Sequence, residues 1–76
     1  MIRLYTGADC PWCKKVKAYL DSKNVEYKEL DVALEENKEE LLSLTRQRSI
    51  PVLATDDNKN FAIGFDKRAI DMIIGN

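Results

Sequence analysis

The only two cysteines lie three residues apart, in Asp9-Cys10-Pro11-Trp12-Cys13-Lys14-Lys15, where the hydropathy pattern changes period. Upstream, Ile2-Arg3-Leu4-Tyr5 alternates in the manner of a short strand, and Gly7 ends it. Downstream, Cys13, Val16 and Leu20 recur at spacings of three and four and form the apolar stripe of a helix. Pro11 suits the first turn of that helix, where no amide hydrogen is missed. The first cysteine is therefore expected at a strand-to-helix junction.

The remaining pattern continues the alternation of elements. Asn24 is a plausible helix stop. Val25 to Leu30 alternates and reads as a second strand. From Leu34 to about Arg46 a second helix is expected, with Leu34, Leu41, Leu42 and Leu44 apolar. Glu35 and Glu36 lie early in it and Arg46 late, which suits the helix dipole. Pro51 to Thr55 reads as a third strand, Asp56 to Lys59 as a turn, and Phe61 to Ile63 as the hairpin partner. Gly64 breaks that strand, and Asp66 can cap a last helix carrying Ala69, Ile70, Ile73 and Ile74. The order is βαβαββα. The first two strands should be parallel through a right-handed crossover, the last two antiparallel. An α/β fold follows: a four-stranded mixed sheet with helices on both faces.

Length and composition limit what such a chain can do. Its 76 residues make a single domain, 1–76, with a thin core. A hydrophobic fraction of 45% with 33% charged residues is that of a soluble globular chain. No apolar run approaches the ~18 residues of a membrane span, and the first residues are too few for a signal peptide. A cytoplasmic location and no membrane partner are expected. A formal net charge of −1 argues against a nucleic-acid partner. The charge is unevenly placed: residues 1–25 carry a basic excess around the cysteines, residues 26–45 an acidic one.

There are no histidines, which removes His general bases, Cys–His dyads and His-bearing zinc sites. A bridge across two intervening residues closes too small a loop to act as a structural staple. A closed zinc site needs four ligands, and one chain offers two thiols, so no metal site is expected within it. What remains is a redox pair, or a ligand set shared between two chains; Cys-x-x-Cys in a small βαβ pattern favours the redox pair.

The expected placement gives the two thiols different roles. A helix N-terminus presents unpaired N–H groups and a positive dipole end, which favour an anion. Cys10 should be the exposed attacking thiolate, with its pKa lowered from about 8.5. Cys13, on the stripe of Val16 and Leu20, should be the buried resolving thiol. Lys14, Lys15 and Lys17 oppose the dipole early in the helix, and a thiolate nearby makes them intelligible; Lys14 is the expected stabilising residue. Asp9 pulls the other way. Trp12 reads as a flat apolar surface beside the sulfurs, or as a partly buried core aromatic.

Cys10-Pro11-Trp12-Cys13, with Ile50-Pro51-Val52 and Gly64-Phe65-Asp66 behind it, resembles the glutaredoxins of the thioredoxin superfamily. The chain looks most like the small glutaredoxin-like redoxins of bacteria and archaea, the YruB-like group. The resemblance spans essentially the whole chain. It implies a thioredoxin-like fold and a monomeric thiol–disulfide oxidoreductase with no bound cofactor, reducing protein or glutathione mixed disulfides. It implies a cis peptide before Pro51 facing the cysteines, and substrate pairing on the backbone of Ile50. It implies a role for Gly64, Phe65 and Asp66 in holding the glutamyl end of glutathione, and substrate contacts from Pro11 and Trp12.

Two positions depart from glutathione users of that family. Their usual Lys three residues before the first cysteine is Gly7 here, and the first of two usual turn glycines is Ile63. Arg48 is expected to replace part of the missing charge. The Gly-Phe pair resembles redoxins that take electrons from a thioredoxin-reductase-type flavoprotein and serve ribonucleotide reductase. The donor is thus glutathione or such a flavoprotein. A [2Fe–2S] cluster bridged between two chains is a further alternative, since thiolates are fitting iron ligands.

Overall fold

The computed structural model describes residues 1–75. Seven elements follow in the expected order: β1 (Ile2–Thr6), α1 (Pro11–Ser22), β2 (Tyr27–Asp31), α2 (Glu35–Thr45), β3 (Val52–Ala54), β4 (Phe61–Ile63) and α3 (Lys67–Ile74). The strands lie side by side as β2-β1-β3-β4. β1 runs parallel to β2, with Leu4 opposite Glu29, and antiparallel to β3, with Leu4 opposite Leu53. β3 and β4 are antiparallel, with Leu53 opposite Ala62. The α/β fold read from the pattern is the fold of the molecule.

Alternation along the strands divides the core in two. Leu4, Leu53 and Ala62 join Val16 and Leu20 of α1 and Ile70 of α3 in one buried cluster. Tyr5, Val52 and Ala54 point the other way and close against Leu41 of α2. A fully buried Leu or Val contributes roughly 1.5–3 kcal/mol relative to exposure, so these few side chains dominate the fold's stability.

Three boundaries differ from the sequence pattern. β2 starts at Tyr27, because the Val25 amide donates to the Leu20 carbonyl at 3.1 Å while Asn24 turns with φ 56°. Val25 keeps its apolar role, packed against the first cluster. The second helix starts one residue later than expected: Leu34 sits at its N-cap, 55% exposed, and does not join the core. The inward position on that helix belongs also to Asn37, which is buried and donates from Nδ2 to the Asp31 carbonyl at 2.9 Å. The third strand is shorter than expected and starts after Pro51.

Candidate functional site

Cys10 is the N-cap of α1, its backbone extended at φ −122° and ψ 100°. Pro11 follows at the first helical position, and the Lys14 amide donates to the Cys10 carbonyl at 3.2 Å to open the helical ladder. The Cys13 amide donates to Cys10 Sγ at 3.1 Å, so the sulfur occupies the place a Ser or Asp oxygen takes in an ordinary cap. Cys10 and Cys13 are joined as a disulfide, with Cα atoms 5.2 Å apart. Cys13 is fully buried, while Cys10 is half-buried. No acidic residue lies in the first turn of α1.

Two distant segments meet the neighbours of the pair, Gly7 and Trp12. The Ile50–Pro51 peptide is cis, as the resemblance implied, and Pro51 is buried. The Gly64 amide donates to the Pro51 carbonyl at 2.8 Å. Gly64 has φ +77°, a left-handed conformation open to glycine at little cost. Next to it, the Phe65 ring stacks on Trp12 at 6.5 Å between centroids, with 29° between planes. Asp66 caps α3, its Oδ1 accepting from the Ala69 amide at 3.2 Å. A side chain at Gly7 would bring its Cβ to 2.9 Å from Ile50 Cδ1, so that glycine sits against Ile50. Cys10, Trp12, Phe65, Gly64, Pro51 and Ile50 are thereby linked in space.

Trp12 is 54% exposed and belongs to the surface rather than the core. Lys14 is exposed, one residue past Cys13. Lys17 is not free to act on the sulfurs, since its Nζ pairs with Glu29 at 2.9 Å. Arg48 is exposed in the loop before β3, and among the described residues it makes no hydrogen bond or ion pair. The structure does not tie it to the other site residues.

Sequence reasoning passed over Tyr19 and Lys67. Tyr19 lies edge-on to Phe65, 6.0 Å between centroids, and its hydroxyl donates to Asp71 Oδ1 at 2.5 Å. That bond to Asp71, then burial, pushes its pKa up. Lys15 Nζ lies 4.4 Å from the Trp12 ring centroid, and Lys67 Nζ lies 5.7 Å from that of Tyr19. Residues 12, 15, 19 and 23 share one face of a helix by spacing alone, and that signal marks the α1 half of this ridge. Lys67 joins from α3 by tertiary packing.

A family model described as glutaredoxin matches residues 2–59. The chain belongs to the glutaredoxin family. A glutaredoxin-like 8.6 kDa protein of Clostridium pasteurianum, from a rubredoxin operon, is 43% identical over 75 residues, 97% of each chain. A glutaredoxin 1 of Rickettsia prowazekii is 41% identical over 59 residues, 74% of this chain but only 62% of that protein's length. Among solved structures, a thioredoxin-like protein superposes with a TM-score of 0.84 at 31% identity, covering 96% of this chain and 99% of that one. This glutaredoxin is a thiol–disulfide oxidoreductase by family, with its cysteine pair at bonding distance.

Proposed function

We propose that the protein reduces disulfides in proteins, and mixed disulfides between proteins and glutathione, with Cys10 as nucleophile and Cys13 as resolving thiol. The observation that carries this assignment is the asymmetry of the pair: Cys10 caps the helix and accepts an amide hydrogen bond, while Cys13 is fully buried. On reduction, that amide and the dipole end stabilise a thiolate at Cys10, with Lys14 adding positive charge. The Cys10 thiolate attacks one sulfur of the target, forms a mixed disulfide and expels the other sulfur, which takes a proton. Cys13 then loses its proton and attacks Cys10 Sγ; the Cys10–Cys13 bond forms and the second target thiol leaves, protonated. Two electrons pass from the dithiol to the target; one proton comes from Cys13, and solvent returns the one that Cys10 released on ionising.

The target lies along Ile50. Among the described residues, neither its N–H nor its C=O has a hydrogen-bond partner, which leaves both for an extended substrate backbone. Trp12, Phe65 and Pro11 supply an apolar wall, Pro51 fixes the strand start, and the turn from Gly64 to Asp66 meets the substrate at a helix N-terminus. Arg48, exposed in the loop before β3, is the charge offered to the substrate's carboxylate. The dithiol is restored by two glutathione molecules or by a thioredoxin-reductase-type flavoprotein. Gly7, packed on Ile50, favours the flavoprotein as a second reading, because a lysine there displaces the Ile50 methyl.

The test is reduction of a protein disulfide by the pre-reduced chain. Cys10→Ser is expected to abolish it, and Cys13→Ser to accumulate the mixed disulfide, seen by mass spectrometry. Full dithiol activity in Cys10→Ser overturns the assignment. Parallel NADPH-consumption assays, one with glutathione and its reductase and one with thioredoxin reductase, identify the donor.

A further inference from the structure

We infer that the aromatic ridge beside the disulfide is a docking surface for an acidic protein segment flanking the target disulfide; the inference rests on the function proposed above. Trp12, Phe65 and Tyr19 run in sequence from the cysteines across the seam between α1 and α3. Lysine ammonium groups stand over this ridge along its length. Lys15 lies over Trp12 at 4.4 Å, Lys67 over Tyr19 and Phe65 at 5.7 and 5.8 Å, and Lys23 over Tyr19 at 5.5 Å. All three lysines are exposed.

None of them is held in an ion pair: among the described residues, the ion pairs of the chain are Met1–Asp56, Arg3–Glu40 and Lys17–Glu29. Asp71, which accepts the Tyr19 hydroxyl, and Asp66, which caps α3, keep their negative charge on this face, but the three lysines outnumber them. Exposed lysines with freely moving heads carry a large ordering cost on binding. Here the ring faces hold the heads in position, which reduces that cost for a partner carboxylate. The ridge therefore offers two things together: an exposed indole beside the sulfurs, for an apolar side chain next to the target cysteine, and a line of positive charge leading away from it, for acidic residues. Charge complementarity of this kind acts on the encounter rate and fades with salt.

The experiment uses the full chain, pre-reduced, and two peptides of one length with an internal disulfide. One peptide carries Asp and Glu beside the cysteines, the other Lys in the same places. Second-order exchange rates are divided by those of the same peptides with dithiothreitol, which removes intrinsic reactivity. Low salt should give a ratio favouring the acidic peptide by about tenfold or more, collapsing toward unity at about 0.5 M salt. The double variant Lys15→Glu/Lys67→Glu should bring the low-salt ratio to one or below. Both side chains are exposed, and Glu at 67, the first residue of α3, suits that helix's dipole, so the variant retains its fold. Equal rates for the two peptides, or a preference that survives the double variant, overturn the docking surface. A neutral small disulfide, hydroxyethyl disulfide, separates the two readings: no reaction with it overturns the oxidoreductase function, and the docking inference with it.

Discussion

Tyr5 has no exposed surface, yet its hydroxyl is fully engaged: it donates to Glu40 Oε1 at 2.6 Å and accepts from Arg3 at 3.0 Å. Arg3 in turn pairs with Glu40 at 2.5 Å. Burial and the bond to Glu40 raise the phenol from 10.0 to about 12, with Arg3 pulling the other way. An unfolded tyrosine ionises near 10. As pH rises past that value the unfolded chain loses its proton first, while the folded one keeps it. The stability Tyr5 contributes is therefore complete below pH 10 and is lost as pH rises from there to about 12. Tyr5→Phe should lose less stability than the parent between pH 8 and 11, compared by urea midpoints. Tyr19 and Tyr27 are raised too and remain in both proteins, so some alkaline loss persists. Equal losses in the two proteins would show that Tyr5 is not held as described. None of this was legible in the alternating run Ile2 to Tyr5, which marks a strand but cannot name a partner 35 residues away.

At the scale of elements, the pattern predicted what local chemistry controls and missed what neighbours control. The cap at Asp66 and the turn at Gly64 were readable because each depends on one residue's own backbone and side chain. Asp66→Ala removes the bond to the Ala69 amide and should cost about 1 kcal/mol. Gly64→Ala meets no atom but must hold φ +77°, at about 1–2 kcal/mol. Chemical denaturation of each variant gives the number. A cost below a few tenths for Asp66→Ala would mean that α3 is held by Ile70 and its packing alone. The exposed Leu34 was not readable in the same way. Leucine suits a stripe by periodicity, but whether the stripe meets a sheet depends on where α2 is set down, and Asn37 took the inward place by binding the Asp31 carbonyl. The Trp12–Phe65 stack is of the same kind: each residue was a site candidate alone, and only the packing of α3 beside α1 joins them.

For the molecule as a whole, sheet register assembles the site. β1 ends at Thr6, and its antiparallel pairing sets Tyr5 opposite Val52, which places Pro51 and Ile50 at the same end as Gly7. Val52 opposite Ile63 brings Gly64 there as well. Three segments far apart in sequence therefore meet at one end of the sheet, and α1 begins there with the cysteines. The site exists only while β3 holds register between β1 and β4. Leu53, with 1% exposure, is the middle residue of β3, opposite Leu4 and Ala62. Leu53→Ala should cost about 2–5 kcal/mol. A chain of 76 residues has roughly 4–11 kcal/mol in total, so that loss is a large share of its stability. Trp12 is the sole tryptophan and sits in the site, so its fluorescence reports the site, while far-ultraviolet circular dichroism reports the helices and sheet. In Leu53→Ala the two signals should fall together in urea, at one lowered midpoint, because site and sheet are one cooperative unit. A tryptophan transition well ahead of the dichroism change would show instead that the cysteine loop and the turn after β4 come apart while the sheet still stands.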